Sequence, residues 1–407
     1  MKKLAVVTSH PIQYNAPWFR HLAARGDLDL RVFYLWDFGV EKRFDPGFGR
    51  EVLWDVPLLG GYAHEIVPNT SPDPGTHHFT GLRNPTLGAR VAAFDPDAVL
   101  LLTYNYLSTH RFLWTWDRRR APLLFRGDSH RLDPARRAEP LRRAFIALTL
   151  SRFDGFLYVG EANRRYFRYH GVPDDKLFFA PHAVDNDRFS AAGARAADDA
   201  LAFRREQGIP DDHAVVLFAG KLVEKKRPQD LLAAFLDARP EKATLLFVGS
   251  GPLEAALRAR AEGHASVRFA PFQNQSQMPR TLVAGDLVAL VSDVQETWGL
   301  IINEAMAVGR AVLVSDHVGC AEDLVRPGEN GLVVPARDVP ALSRALREAL
   351  ADRARLTRWG EAGRAIVARY GYAQTTEGLT RALGHLERAR RQRRRPVEQA
   401  PQRGVGS

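Results

Sequence analysis

Short apolar blocks recur along this chain, separated by polar or amphipathic stretches of helical length. Examples are residues 4–8, 98–103, 214–218 and 287–291. A short apolar block bounded by turn residues is typical of a strand buried on both faces of a parallel sheet. Because these blocks alternate with helical stretches, the pattern predicts an α/β fold built from βαβ units.

The alternation of strands and helices starts twice, which predicts two domains. The first domain covers residues 1–190 and the second covers residues 191–370. We interpret the Ala-rich, charged segment 190–212 as the connection between them. Two helical stretches, 339–350 and 356–388, end the regular pattern.

Residues 36–80 interrupt this pattern. They are rich in Gly, Pro and aromatic side chains, including Phe44, Phe48 and Trp54, and their periodicity is weak. Long irregular segments in compact domains often form lids or binding loops. We therefore expect irregular structure here that shapes the specificity for an acceptor.

Composition supports a globular protein of more than one domain. The chain has 407 residues, of which 45% are hydrophobic and 26% charged, and this length exceeds one ordinary core. The single cysteine, Cys320, excludes an internal disulfide framework and is compatible with a reducing cytoplasm. No apolar run approaches the roughly 20 residues that span a bilayer. The apolar N-terminus stops at Ser9, so we interpret it as a first strand rather than a signal peptide.

The positive charge is concentrated near the C-terminus. Residues 388–407 contain seven Arg and one Glu, which gives +6 of the chain's net charge of +10. We expect this segment to be a basic disordered tail. A second basic stretch, from about Pro134 to Leu150, has the pattern of an amphipathic helix. Either segment can be simply solvated or can contact an anionic membrane, and we do not expect nucleic acid as a partner.

The candidate chemistry is concentrated in the stretch from Glu296 to Glu304. The apolar block before it runs into a Gly-containing turn and then an apolar run of helical period. The N–H groups of Trp298, Gly299 and Leu300 would begin this helix without intrahelical partners, which suits a pyrophosphate. The two carboxylates would flank that phosphate site. This arrangement suits a ligand with hydroxyl groups on both sides of a diphosphate, as in a nucleotide-sugar.

This stretch resembles the Glu-x7-Glu motif of the retaining, GT-B-fold glycosyltransferases of family four, the glycosyl transferases group 1. The motifs are most specific between Gly220 and Asp338. The resemblance implies two Rossmann-like, doubly wound domains that face a central cleft. It also implies that residues 371–387 form a helix that packs back on the first domain. The expected reaction moves a sugar from a nucleotide-diphosphate sugar to a hydroxyl acceptor, with retention of configuration and without an obligatory metal.

The resemblance also implies roles for individual residues. Glu296 would face the donor sugar, Glu304 would hold the ribose hydroxyls, and the backbone from Thr297 onward would contact the sugar and the β-phosphate. Trp298 stands where the usual motif has Phe, which keeps that wall apolar. The remaining donor-site residues implied are Lys221 and Lys226 for the leaving diphosphate, Phe272 for the base, and Gly220 and Gly249 for close approach of the backbone to the ligand.

The first domain offers several candidate partners. His10 follows the first strand, in a loop that resembles one found in part of the family, and ordinary turn chemistry explains that loop equally well. Many relatives have a histidine directly after the strand that ends near Phe125. This chain has Arg126, Gly127 and Asp128 there, and His130 comes slightly later. Asp128 can accept the acceptor's proton, whereas Arg126 or His130 can support a phosphate or the acceptor.

Several alternatives remain open from the sequence. A sugar-nucleotide epimerase has the same architecture, and a non-catalytic relative can bind a membrane or nucleic acid through the Arg-rich tail. UDP or GDP is the expected nucleotide, and the acceptor can be a carbohydrate, a lipid-linked sugar or a small molecule. We expect a cytoplasmic protein, with or without peripheral contact at the inner membrane face. No cofactor and no metal-ligand spacing were found, since Asp95-Pro-Asp97 is better interpreted as a turn.

Overall fold

The computed structural model describes residues 1–132 and 140–394, with the side chains of 393 and 394 excluded. It contains two parallel sheets, one in each half of the chain. The strands of the first sheet are β1 (Lys2–Thr8), β2 (Leu28–Tyr34), β5 (Ala63–Ile66), β6 (Ala98–Leu101), β7 (Leu123–Gly127), β8 (Gly155–Tyr158) and β9 (Leu177–Phe179), and β3 (Arg43–Asp45) and β4 (Arg50–Val52) form a separate hairpin. The second sheet contains β10 (Ala214–Ala219), β11 (Ala243–Val248), β12 (Val267–Ala270), β13 (Leu287–Leu290), β14 (Ala311–Ser315) and β15 (Gly331–Val334).

Helices cover both faces of each sheet. In the first half these are α1 (Ala16–Ala24), α2 (Leu87–Phe94), α3 (Leu107–Thr115), α4 (Pro140–Leu150) and α5 (Glu161–Tyr169). The helices that follow are α6 (Asn186–Arg195), α7 (Ala197–Glu206), α8 (Pro228–Ala238), α9 (Glu254–Arg260), α10 (Met278–Val283), α11 (Leu300–Ala307), α12 (Ala321–Leu324), α13 (Val339–Leu350), α14 (Arg353–Val367) and α15 (Tyr372–Arg394). Apolar clusters lie on both faces of each sheet, so each domain is doubly wound, as the apolar blocks predict.

The strand order places two crevices opposite each other. The first sheet runs β5-β2-β1-β6-β7-β8-β9 and the second runs β12-β11-β10-β13-β14-β15. The strand order therefore reverses beside β1 in the first sheet and beside β10 in the second. Ligands of open α/β sheets bind at the carboxyl ends of strands at such switch points. Both loops predicted to carry chemistry, after β10 and after β13, begin at this edge.

The segment expected to be a connection is two helices of the second domain. Helices α6 and α7 occupy residues 186–206 and bury Phe189 and Phe203 in the core of that domain. The expected connection at 190–212 is therefore wrong, and the chain crosses between β9 and Asn186 instead. The segment looked like a linker because Ala and charged residues outnumber the two aromatic residues that anchor it.

Three further expectations need correction. Residues 36–80 are not wholly irregular, because they contain the β3–β4 hairpin and the sheet strand β5, which pairs with β2. The stretch 356–388 is divided between two helices: α14 packs on the second domain, whereas α15 buries Leu379 and Leu383 against the first. Helix α15 continues to Arg394, so the first part of the expected disordered tail is helical. The rest of that tail, and residues 133–139 of the expected basic helix, lie outside the described residues.

Candidate functional site

A cavity of about 520 Å³ lies between the carboxyl edges of the two sheets, and both domains line it. The loops after β1, β6, β7 and β9 form the wall from the first domain, together with Phe48 and Trp54 from the segment between β2 and β5. The loops after β10, β11, β12 and β13 form the opposite wall. Thirteen of the residues given a candidate role from the sequence line this cavity: Arg126, Asp128, Gly220, Lys221, Lys226, Gly249, Phe272, Glu296, Thr297, Trp298, Gly299, Leu300 and Glu304.

The glycine-bearing loops of the second domain approach each other at backbone distance. Gly249 has a φ of 141°, and a Cβ atom on it would lie 2.0 Å from the carbonyl oxygen of Gly220. Only glycine fits this position without a shift of the backbone. This close approach places the loops after β10 and β11 side by side at the cavity wall.

Two backbone hydrogen bonds from the loop after β14 fix the turn between Glu296 and helix α11. Gly299 caps the helix with a φ of 98° and without a side-chain hydrogen bond at the cap. From the next loop, the Gly319 N–H donates to the Glu296 carbonyl at 3.0 Å, and the Cys320 N–H donates to the Trp298 carbonyl at 3.0 Å. The helix N-terminus at Leu300 thus faces the cavity in a fixed orientation and suits an anionic group.

Glu296 and Lys226 form an ion pair on the cavity wall. The Lys226 Nζ lies 2.5 Å from Glu296 Oε2, which also accepts a hydrogen bond from Ser292 Oγ at 3.0 Å. Burial alone would raise the pKa of Glu296, but the Lys226 charge and the two hydrogen bonds lower it below its usual value. Glu296 is therefore an anion at neutral pH, and it holds Lys226 at the mouth of the α11 turn.

Glu304 is in a different electrostatic state. Its side chain is 1% exposed, and neither carboxylate oxygen has a well-formed hydrogen bond to the described residues. Burial raises the pKa of Glu304 to about 8, although the Arg188 charge and the nearby Tyr14 hydroxyl act in the opposite direction. Buried polar atoms normally have partners, so this carboxyl group is suited to bind hydroxyl groups of a ligand.

Lys221 is paired with the first domain. Its Nζ lies 2.9 Å from each carboxylate oxygen of Asp45, in the β3–β4 hairpin. The same ammonium group lies 4.8 Å from the centre of the Phe48 ring. Asp45 was missed in the sequence because nothing in a weakly periodic, aromatic segment marks one carboxylate as an interdomain partner.

Asp128 connects the two walls of the cavity. Its Oδ2 accepts a hydrogen bond from Thr297 Oγ1 at 2.7 Å and lies 3.3 Å from His182 Nε2. Burial would raise the pKa of Asp128, but His182, Thr297 and Arg126 together lower it to about 2. A carboxylate with so low a pKa is a weak base, so this geometry favours a positioning role over proton acceptance.

The two histidines singled out from the sequence are not among the residues that line the cavity. His130 lies behind the α11 turn, with Nε2 at 3.1 Å from the Glu296 carbonyl oxygen. His10 packs against Trp36 and Phe38, and burial lowers its pKa to about 4. Tyr14, from the same loop as His10, lines the cavity instead.

One group of potential metal ligands escaped the sequence analysis. Asp73, His77 and His78 bring one ligand atom each to within 4.8 Å of one another. Two of the three are exposed, and hydrogen bonds between His77, His78 and Asp73 explain the cluster. None of the three lines the cavity.

Comparisons with known proteins agree with this site. The family model described as glycosyl transferases group 1 matches residues 199–366, which include the loops after β10 and β13. A D-inositol 3-phosphate glycosyltransferase of Nocardia farcinica is 32% identical over 233 residues, 54% of this chain and 50% of the relative. A GDP-mannose-dependent monoacylated alpha-(1-6)-phosphatidylinositol monomannoside mannosyltransferase of Corynebacterium glutamicum is 32% identical over 241 residues, 56% and 62% of the two chains. The chain thus spans about half the length of the first of these relatives and somewhat more of the second.

The fold comparison extends over the whole architecture. The structure of HepE from Anabaena, in complex with UDP and glucose, superposes with a TM-score of 0.70 at 19% sequence identity. It covers 94% of this chain and 100% of HepE. This likeness concerns the fold, two facing Rossmann-like domains of the GT-B type. Residues 199–366 therefore match the glycosyl transferases group 1, and the chain as a whole has the GT-B fold.

Proposed function

We propose that this protein transfers a sugar from a nucleoside-diphosphate sugar to a hydroxyl acceptor, with retention of anomeric configuration and without an obligatory metal. The observation that carries the proposal is the convergence of four features on one cavity wall. These are the Lys226–Glu296 ion pair, the N-terminus of α11, the cation of Lys221 and the buried carboxyl group of Glu304.

Each feature corresponds to one part of such a donor. The ammonium groups of Lys221 and Lys226 and the amides at the start of α11 offset the charge that develops on a departing diphosphate. These groups can supply the positive charge that a metal ion supplies in other transferases. Glu304 accepts hydrogen bonds from the ribose hydroxyls, and Phe272 offers an aromatic face to the base.

The names of the relatives support a proposal for the class of donor and acceptor. One is named for D-inositol 3-phosphate, and another is described as GDP-mannose-dependent. HepE was solved with UDP. We therefore propose UDP or GDP as the nucleotide, and a carbohydrate, a lipid-linked sugar or a small molecule as the acceptor. An assay without acceptor separates this reaction from an epimerase, which would act on the donor alone.

A nucleoside diphosphate should raise the thermal stability of the protein through the cavity. Binding to the folded state alone stabilises by about 2.7 kcal/mol at a ligand concentration of 100 Kd. We expect a clear increase in Tm with either UDP or GDP in a screen that also includes ADP and dTDP. Glu304→Gln should weaken binding of the responding nucleotide, because hydrogen bonds from two ribose hydroxyls favour the ionised carboxylate in the complex, and an amide cannot ionise to offer a second acceptor oxygen.

The control for this screen is the unliganded Tm of the variant. At neutral pH Glu304 is largely protonated, since its pKa is raised to about 8, and Gln is a close isostere of the protonated acid. The unliganded Tm should therefore change little. An equal response of parent and Glu304→Gln would contradict the assignment of the ribose site.

We also propose peripheral contact with an anionic membrane for a protein that acts in the cytoplasm. Among the described residues, no helix has the length and apolar character needed to cross a bilayer. The relevant surface is the basic apolar face, made of Trp114, Leu141, Phe145 and Leu148 with the arginines beside them. Its four apolar side chains are 47%, 84%, 54% and 55% exposed, in that order.

Basic groups surround this face. Helix α4 contains Arg142 and Arg143 and no acidic residue, and the Arg152 guanidinium lies 5.1 Å from the centre of the Trp114 ring. Near the same edge, Arg390 in the basic C-terminal helix donates to the carbonyl oxygens of Arg119 and Arg120. Exposed apolar side chains flanked by arginine are suited to the interface of an anionic bilayer.

The double substitution Leu141→Ser and Phe145→Ser should reduce co-sedimentation with phosphatidylglycerol vesicles at least fivefold. The two side chains contribute apolar area that the interface would otherwise bury. Ile66→Ser is the matched control, since Ile66 is 39% exposed on the edge strand β5. If the double variant and the control bind the vesicles equally well, the basic apolar face is not the contact surface.

A further inference from the structure

A segment of the first domain crosses the donor wall of the second domain. It consists of residues 43–55, the β3–β4 hairpin and the chain that follows it, and is called the strap below. Besides Lys221, its hydrogen bonds reach two loops of the second domain, those after β11 and β12. Ser250 Oγ donates to the Phe48 carbonyl at 2.8 Å, Asn274 Nδ2 donates to the Leu53 carbonyl at 2.6 Å, and the Ser276 N–H donates to the Asp55 carboxylate at 3.1 Å.

The strap contacts the two side chains that the proposed function assigns to the two ends of a nucleoside diphosphate. Asp45 binds the Lys221 ammonium group with both carboxylate oxygens at 2.9 Å. Phe48 packs edge-on against Phe272 at a centroid distance of 4.7 Å. Arg50 also lies over Phe272, 5.3 Å from the ring centre. The strap therefore covers both the phosphate-binding cation and the aromatic ring offered to the base.

Asp45 is rigidly presented to Lys221. Its Oδ1 accepts hydrogen bonds from the Gly47 N–H at 2.8 Å and from the Phe48 N–H at 3.2 Å. Its side chain is only 15% exposed, so solvent screens this ion pair less than a surface pair. A carboxylate held in this way is an intramolecular anion with the same partner as a donor phosphate.

We infer that Asp45 competes with the diphosphate of the donor for Lys221, and that a nucleoside diphosphate binds by displacing the strap from Lys221 and Phe272. This inference rests on the proposed function. It assigns to the first domain a residue that sets the affinity for the donor, in addition to the Lys and Glu residues of the second domain.

Because Asp45 competes for the Lys221 ammonium group, it opposes binding of the diphosphate part of the ligand. It does not oppose binding of the nucleoside part. A diphosphate carries enough charge to replace the carboxylate on Lys221, whereas an uncharged nucleoside leaves the ion pair intact. Removing the carboxylate should consequently strengthen binding of nucleoside diphosphates only. The opposite role, in which Asp45 orients Lys221 for the phosphate, predicts weaker binding after the same change.

The test is calorimetric titration of the full chain and of Asp45→Asn with UDP and GDP, and with uridine and guanosine. The Asn side-chain oxygen can still accept from the Gly47 and Phe48 amides, so the hairpin turn is retained. We expect about fivefold tighter binding of the diphosphate and no change for the nucleoside. Glu51→Gln is the matched control, because Glu51 pairs with Lys42 on the exposed side of the same hairpin and its loss should change neither affinity.

Each outcome decides the inference. Unchanged or weaker diphosphate binding by Asp45→Asn, or an equal gain with Glu51→Gln, overturns it while leaving the proposed function in place if the parent binds a diphosphate. Binding by Asp45→Asn when the parent binds neither diphosphate supports it. Binding by neither protein overturns both the inference and the proposed function.

A second measurement needs no variant. Hydrogen exchange of the strap, above all at Asp55, should become faster in the unaltered chain when UDP or GDP binds, because displacement removes the hydrogen bond from the Asp55 N–H to Asn274 Oδ1. Slower exchange at a saturating concentration would show that the strap closes on the ligand, and unchanged exchange would show that it does not respond to the ligand. Either result would overturn the inference.

Discussion

Replacement of Lys226 by Met should lower kcat about a hundredfold, with a much smaller effect on the affinity for a nucleoside diphosphate. The Lys226 ammonium group lies 2.5 Å from the Glu296 carboxylate at the start of the α11 turn, where the charge of a departing diphosphate would develop. Removal of one preorganised group that stabilises such charge costs about 2.7–4 kcal/mol in the barrier. At about 1.4 kcal/mol for each factor of ten in rate, this corresponds to a hundredfold or more.

The change also alters Glu296. Its pKa is held below the usual value mainly because the Lys226 charge and hydrogen bonds outweigh the effect of burial. Without that cation, burial favours the protonated acid, so the pKa of Glu296 should rise. The variant should therefore lose activity at a higher pH than the parent as the pH falls, because protonation of Glu296 begins at a higher pH.

The measurement is release of the nucleoside diphosphate from its sugar donor, with the donor class taken from the thermal screen, across a range of pH. Lys225→Met is the matched control, since Lys225 is the adjacent, exposed residue of the same turn and should give a far smaller loss. A Lys226→Met enzyme with kcat within threefold of the parent would remove Lys226 from the chemistry.

The donor wall of the site was predictable because it depends on local order along the chain. Lys221, Lys226 and Glu296 lie in the loops that follow two buried strands, and strands of one parallel sheet end at one edge. The sequence pattern thus brings the loops after β10 and β13 together without knowledge of the helices between them. The same argument placed the helix N-terminus at Leu300 beside Glu296, as in the structure.

Contacts across the cleft were not predictable in this way. The Asp45–Lys221 pair and the Asp128–Thr297 hydrogen bond depend on the relative orientation of two domains, and no local period encodes that orientation. His10 shows the same limit. A polar residue after a strand was expected to face the crevice, but Trp36 and Phe38 from a later loop cover it, and Tyr14 lines the cavity instead.

The misplaced connection has a different cause. In α6 and α7, Ala and charged residues outnumber the larger apolar residues, and such a composition is also typical of a linker. The structure shows that single large side chains anchor these helices, and that a charged residue, Arg204, is itself buried at 7% exposure. Composition cannot distinguish a buried arginine from a solvated one. Arg204 is buried because it pairs with Asp286, which lies 82 residues later in the chain.

This partner leads to a prediction for stability. Arg204 donates to the Ala284 carbonyl at 2.7 Å and to Asp286 Oδ2 at 2.8 Å, and Asp286 also accepts from the Val215 N–H at 2.7 Å. The contact joins α7 to the start of β10 and to the loop before β13. Arg204→Ala would leave the Asp286 carboxylate, 13% exposed, without its hydrogen-bonded cation, although Arg353 at 3.8 Å and the buried Arg310 still interact with it.

We expect Arg204→Ala to lower the free energy of unfolding by about 3 kcal/mol, the magnitude found when one partner of a buried ion pair is removed. The loss should appear as a lower urea midpoint, followed by far-UV circular dichroism. Arg205→Ala is the matched control on the same helix. Arg205 pairs with Asp211 at 2.8 Å, but both side chains are more than half exposed, so solvent screens the pair and the midpoint should barely change. Equal midpoints for the two variants would mean that the Arg204–Asp286 pair does not contribute to stability. The packing of α7 on the second sheet would then depend on apolar side chains such as Phe203.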